Sequence, residues 1–156
     1  MIKLVKFNKL EEKDLDKIID KHYTHWKQYN NKLDLTEIIN SFKNIYTNEE
    51  KLPIGYACFD DDKLVGFCTL RKDNLKKYKD VFPWICSVMI FDEERHKGYG
   101  TGMIELVSKE AKKLGYNKVY LWTDKAPDFY KKIGFSYVMQ VEKNEGGFGE
   151  LYCKEI

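Results

Sequence analysis

No stretch of this chain approaches the ~20 consecutive apolar residues that a membrane span requires, so membrane spanning is excluded from the reading. The N-terminus, Met-Ile-Lys-Leu-Val-Lys-Phe, alternates like a short strand and lacks the apolar block of a signal peptide. There is no surplus of charge: 27 basic and 25 acidic residues are interspersed, for a net charge of +2. That balance gives no footing for nucleic acid or for an anionic membrane surface. The four cysteines (Cys58, Cys68, Cys86, Cys153) are far apart, and no pair has zinc or redox spacing. They read as buried, reduced thiols of a cytoplasmic protein, and no metal is expected. Arginine is scarce, with Arg71 and Arg95 the only two among the basic residues. No repeat, linker or low-complexity segment divides the chain. Residues 1–156 are expected to form one domain, long enough for a real core.

What is present is a soluble, globular composition, 43% apolar and 33% charged, with clear periodicity. Residues 2–7 read as a strand. A helix is expected from about 9 to 30, with Leu15, Ile18, Ile19, His22, Trp26 and Tyr29 on one face. A second begins at Asp34, with Glu37 as capping-box partner. Its stripe is Leu35, Ile38, Ile39, Phe42, Ile45 and Tyr46. These stripes fit either core packing or the roof of a pocket. Residues 54–60 and 64–71 form a hairpin around Asp60-Asp61-Asp62-Lys63. The charged segment from Lys72 to Asp80 is a loop. Trp84 to Phe91 is apolar on both faces, the mark of a central strand. A helix follows, burying Met103, Ile104, Leu106, Val107, Ala111 and Leu114 and stopping at Gly115. Lys118 to Trp122 is a buried strand. Asp124 is expected to cap a short helix carrying Phe129, Tyr130 and Ile133, closed by Gly134. Residues 135–142 and 148–154 make a last hairpin. The order β-α-α-β-β-β-α-β-α-β-β argues α+β, one central sheet with helices on both faces.

The segment joining the central strand to the next helix carries the chemistry. It reads Glu94-Arg95-His96-Lys97-Gly98-Tyr99-Gly100-Thr101-Gly102-Met103. A helix start leaves backbone N–H groups without intrahelical partners and places partial positive charge there. Phosphate oxygens satisfy both. Gly98 and Gly100 allow a close approach, and Arg95 and Lys97 add formal charge. Taken alone, the pattern also fits a glycine-rich turn with a solvated basic rim. The dinucleotide fingerprint needs Gly where Arg95 stands, and the Walker Gly-Lys-Ser/Thr is absent.

Two local patterns and the element order together show that the chain resembles the GNAT superfamily of acetyl-coenzyme A-dependent N-acetyltransferases. Arg95-x-x-Gly98-x-Gly100 is similar to the family's Gln/Arg-x-x-Gly-x-Gly/Ala turn. Ala126-Pro127-Asp128-Phe129-Tyr130-Lys131-Lys132-Ile133-Gly134-Phe135 is similar to its Ala-x-x-Phe-Tyr-x-x-x-Gly-Phe segment. The resemblance implies a mixed, mostly antiparallel sheet whose fourth and fifth strands splay around coenzyme A. It implies that the pantetheine arm pairs with the main chain of Val88, Met89 and Ile90. The pyrophosphate would lie on the amides of His96, Lys97, Gly98, Tyr99, Gly100 and Thr101, beside Arg95. Tyr130 matches the family's general acid.

There are departures. Thr123 stands where the family often has Asn. No carboxylate lies between Trp84 and Phe91, where many members carry a glutamate base, and Asp92, Glu93 and Glu94 lie beyond the strand. Candidates for the base are a water relayed from Ser87, His22 or His25. The implied reaction moves an acetyl group from acetyl-coenzyme A to a primary amine, by direct attack on the thioester. A small-molecule amine is the expected acceptor, with no nucleic acid or membrane partner, in a monomer or homodimer. Trp26, Tyr29, Tyr46 and Trp84 either line its pocket or are core. The alternatives are a non-catalytic acyl-coenzyme A sensor of the same fold, or acetylation of a protein or an aminoacyl-tRNA.

Overall fold

The computed structural model describes residues 1–156. A single seven-stranded sheet runs in the order β1-β2-β3-β4-β5-β7-β6. Its strands are β1 (Ile2–Lys6), β2 (Ile54–Asp60), β3 (Lys63–Arg71), β4 (Trp84–Ile90), β5 (Lys118–Thr123), β6 (Ser136–Glu142) and β7 (Phe148–Glu155). Every neighbouring pair is antiparallel except β4 and β5. The helices are α1 (Glu12–Lys27), α2 (Leu35–Asn40), α3 (Tyr99–Lys113) and α4 (Pro127–Lys132). The element order is the one expected, and no helix is long and apolar enough to cross a membrane.

The two faces of the sheet hold separate cores. On one, Met103, Ile104, Val107 and Ala111 of α3 pack on Tyr56, Cys68, Ile85 and Leu121, with Tyr130 of α4 and Ile133 just after it at the margin. On the other, Ile18 and Ile19 of α1 and Ile38 of α2 pack with Phe42 on Ala57, Phe67 and Met89. A third cluster continues that second face, where Trp84 and Cys86 meet Leu75, Val141 and Leu151. β4 therefore contributes to all three, which is why it reads as apolar on both sides.

Local chemistry moved several boundaries. α1 starts at Glu12 and not near 9, because residues 7–9 form a 3₁₀ turn that buries Phe7. Asp34 caps α2 by accepting from the Thr36 N–H at 2.9 Å, and no reciprocal bond from Glu37 forms. The helix then widens into a π turn over residues 41–45. Leu35, Ile39 and Ile45 of the expected stripe are exposed; Ile38 and Phe42 face the core. Asp124 does not cap α4. The Thr123 hydroxyl accepts from the amides of Lys125 and Ala126, at 3.3 and 3.0 Å, and turns the chain into the helix. Asp124 is left to pair with Lys143 at 2.9 Å. Three cysteines are buried, the fourth is half-buried, and none is bridged.

Candidate active site

The site begins where β4 leaves β5. The two strands share one register pair, Trp84 with Tyr120, and then part. A bulge in β4 does this. Between the pairs Phe67–Met89 and Thr69–Cys86, β3 advances two residues and β4 three. Ser87 carries the extra residue with φ of 53°, in the left-handed region that few non-glycine residues adopt. Gly66, paired with Ile90, is required on the neighbouring strand, since a Cβ there would stand 2.3 Å from the Met89 carbonyl oxygen. Beyond the bulge the Phe91 N–H donates to the Val65 carbonyl, towards β3. By the two-residue period of a strand, the polar backbone groups of Val88 and Ile90 face the other way, into the gap. Those of Met89 face β3.

The glycine turn lies at the end of this gap. Helix α3 opens at Tyr99 behind Gly98, whose φ of 81° is left-handed, and no side chain caps it. The first α3 bond runs from the Gly102 N–H to the Gly98 carbonyl at 3.3 Å. The amides of His96, Lys97, Gly98, Tyr99, Gly100 and Thr101 have no acceptor within the chain. His96, with φ of 65°, and Gly98 place two left-handed residues in this run, a backbone pattern found in anion-binding turns. A Cβ on Gly100 would stand 3.4 Å from the Phe129 ring and 3.8 Å from Ile90. The turn, the free end of β4 and helix α4 therefore meet at one place. The arrangement can hold an anion on backbone amides while an extended ligand runs along β4.

The two cations of the turn are engaged elsewhere. Arg95 Nε donates to the Ile90 carbonyl at 3.2 Å, and its guanidinium pairs with Asp92 at 3.2 Å. Lys97 pairs at 2.9 Å with Glu94, a buried carboxylate that also receives Lys63 at 3.0 Å. Lys97 and then Lys63 hold the Glu94 carboxyl below the usual range. The expected formal charge is thus largely neutralised locally, and the free amides dominate the site. Glu94 had no sequence signal beyond its place in an acidic triplet.

Tyr130 projects from α4 beside the core of the α3 face. Its ring lies 5.1 Å from Phe129 and 5.9 Å from Phe135. Its hydroxyl has no hydrogen-bond partner within the chain, and burial, with a smaller effect of the Cys68 thiol, pushes its pKa up to about 12. It is a phenol kept protonated at neutral pH. On the opposite face, His22 packs against Trp26 at 4.5 Å and Phe42 at 4.9 Å. Burial, then the charges of Arg71 and His25, lower its pKa to about 4. His22 is therefore a weak base. His25 is shifted down as well, mainly by partial burial and then Arg95. No group of His, Cys, Asp and Glu side chains is placed to hold a metal ion.

A splayed parallel strand pair with a run of free amides at its end fits an acyltransferase, and comparison with known proteins gives the family. The chain belongs to the acetyltransferase (GNAT) family, whose sequence model matches residues 15–135. The chemistry of this family is N-acetyl transfer from acetyl-coenzyme A. No curated protein matches it by sequence. Among solved structures it is similar to aminoglycoside 6'-acetyltransferase type Ii (20% identity, TM-score 0.73, covering 99% of this chain and 96% of that one). It is also similar to an aminoglycoside 6'-N-acetyltransferase complexed with coenzyme A (18%, 0.74, 98% and 96%). A third is an acetyltransferase of the GNAT family from Staphylococcus aureus MU50 (16%, 0.69, 99% and 99%). At these identities the likeness is one of fold.

Proposed function

We propose that the gap between β4 and β5 binds acetyl-coenzyme A and delivers its acetyl group to a primary amine of a small-molecule acceptor. The observation that carries this is the unbroken run of free amides from His96 to Thr101 at the end of an opened strand. The pyrophosphate would rest on those amides, with the pantetheine arm along Val88 and Ile90. Met89 is assigned to the β3 side of the strand. Arg95 acts by holding the Ile90 carbonyl, and Lys97 by fixing Glu94 under the turn. The ligand supplies an activated acetyl thioester; the chain supplies position, which is most of what such a reaction needs.

Tyr130 is the proposed acid. Its half-buried, protonated hydroxyl would donate to the leaving sulfur as negative charge develops there. Thr123, where the family often has Asn, spends the acceptor capacity of its hydroxyl on the α4 turn and keeps only its O–H to donate. No carboxylate of β4 faces the gap, and His22 is too weak a base at neutral pH. The acceptor would therefore lose its proton to solvent near Ser87. That solved neighbours include proteins named as aminoglycoside acetyltransferases supports a small-molecule acceptor.

The missing carboxylate also favours a second reading, a sensor that binds acyl-coenzyme A without turnover. Thiol release from acetyl-coenzyme A, measured against amines, peptides and aminoacyl-tRNA, separates the two. Release with a small amine is the expected result. Coenzyme A binding with no release against any acceptor would leave the sensor standing.

A further inference from the structure

Arg71 is one of only two arginines in a lysine-rich chain. It ends β3 on the face covered by α1 and α2, with Trp84 as its partner across the sheet. Its guanidinium lies 5.4 Å from the centre of the Tyr46 ring. The arginine hydrogen bonds and ion pairs of this chain all belong to Arg95. Arg71 is half-buried, yet its five N–H donors have no acceptor in the chain. Two buried polar atoms nearby are also unpartnered, Trp84 Nε1 and His22 Nδ1. Buried polar groups without partners are costly and uncommon, so these two need a reason, and the unpaired guanidinium of Arg71 adds a charged donor to them.

The surrounding wall is consistent in sign. From His22 a line of rings runs along α1 and past its end: Trp26 at 4.5 Å, His25 4.7 Å beyond, then Tyr29 at 5.6 Å. At its far end the Lys125 ammonium sits 3.5 Å above the Tyr29 ring. Lys125 belongs to the loop between β5 and α4, so this roof extends from β3 across to the far side of the gap. The neighbouring carboxylates are already engaged: Asp92 with Arg95, Glu93 with Lys21, Asp124 with Lys143 and Glu142 with Lys77. The wall presents two cations and several aromatic faces.

We infer that the acceptor is an amine that also bears a carboxylate and an apolar or aromatic body, with Arg71 gripping the carboxylate under the α1 roof. This rests on the acetyltransferase reading and names its substrate class. A guanidinium can hold a carboxylate through two parallel bonds, and the Tyr46 ring lies beside it at 5.4 Å. The aromatic line accepts the body of the same molecule. A polyamine or an aminoglycoside would meet Arg71 and Lys125 as like charges.

The test uses the whole chain and its Arg71→Gln and Arg71→Lys variants. Thiol release from acetyl-coenzyme A is measured with the protein amino acids, their α-amides, spermidine and kanamycin. The same compounds are titrated calorimetrically into protein saturated with coenzyme A. At least one amino acid should exceed its amide in kcat/KM by tenfold or more. Arg71→Gln should abolish that preference through KM, with affinity for coenzyme A retained. Arg71→Lys should restore it only in part, since an ammonium is not a fork. Equal use of acids and amides, preference for spermidine or kanamycin, or an unaltered preference in Arg71→Gln would each overturn the assignment. If no compound releases thiol, the transfer reading fails for this panel, and the titrations still decide the site. Binding of an amino acid lost in Arg71→Gln upholds it; no binding to the wild type removes it.

Discussion

At the scale of single residues, Tyr130 and His22 are opposite uses of burial. Both are desolvated, and desolvation disfavours whichever form is charged. For Tyr130 that keeps the proton on, with a pKa pushed up to about 12. Tyr130→Phe removes only the hydroxyl and keeps the ring packing against Phe129 and Phe135. Affinity for acetyl-coenzyme A should hardly change, while kcat falls by roughly 10²-fold, the usual contribution of a positioned acid. Wild-type turnover, with chemistry shown to limit the rate, would make Tyr130 a core aromatic. For His22 burial keeps the proton off. Its folded pKa, about 4, lies below the ordinary 6.5. Between these values the unfolded chain binds more protons than the folded one, so stability falls as pH drops through that window. The full loss is on the order of 3 kcal/mol, from ~1.4 kcal/mol per unit. His22→Phe should therefore move the midpoint of acid unfolding to lower pH, as read by circular dichroism. Tyr130 was legible because a whole segment, Ala126 to Phe135, surrounds it. Arg71 was not: a lone arginine at a strand end has no pattern, and only the fold shows that it has no hydrogen-bond or ion-pair partner in the chain.

At the scale of elements, the strand–turn–helix from Trp84 to Lys113 could be read in the sequence because each part has its own signal: an apolar run, glycines, a 3.6-residue period. What makes it a site could not. The bulge at Ser87 sits inside an unbroken apolar run and changes no residue type. The partners of Arg95 and Lys97 depend on Asp92 and Glu94 folding back as a 3₁₀ turn. The capping role passed from Asp124 to Thr123 because a β5 side chain, one residue earlier, reaches the amides first. The proposed anion site is built from backbone amides, and a substitution that crowds it tests this directly. Gly100→Val puts methyl groups between Ile90 and Phe129, where a Cβ alone already stands 3.4 Å from the ring. Affinity for acetyl-coenzyme A should drop at least tenfold, about 1.4 kcal/mol, in a protein that still folds. Lys97→Ala, by contrast, removes a charge already spent on Glu94, and affinity should stay within about threefold. Calorimetry on both variants distinguishes a backbone site from a side-chain one: a larger loss in Lys97→Ala than in Gly100→Val would reverse the assignment.

At the scale of the molecule, the gap divides the sheet. Strands β1 to β4 form one antiparallel block and β5, β7 and β6 another, joined within the sheet by the single pair Trp84–Tyr120. The blocks are held together mainly by α3, whose apolar side packs on strands of both, and by Trp84, which is fully buried between β4 and the Leu151 side of the core. A ligand lying between β4 and β5 would supply the missing contacts, and its binding should stabilise the fold as a whole. At a hundred times its dissociation constant, a ligand that binds only the folded state adds about 2.7 kcal/mol. For a domain of this size ~1 kcal/mol moves Tm by roughly 2–4 °C, so saturating coenzyme A should raise Tm by about 5–10 °C. The same contacts have a local signature. The gap-facing amides of Val88 and Ile90, and those from His96 to Thr101, have no acceptor in the chain's own sheet or helix. Their hydrogen exchange should be fast in the free protein and slow once coenzyme A is added. Amides of β2 and β3, already paired on both sides, should gain protection only in step with the global rise in stability. A rise in Tm with uniform protection, and no excess at these positions, would mean that the ligand binds outside the gap and that the splay is only a feature of the sheet.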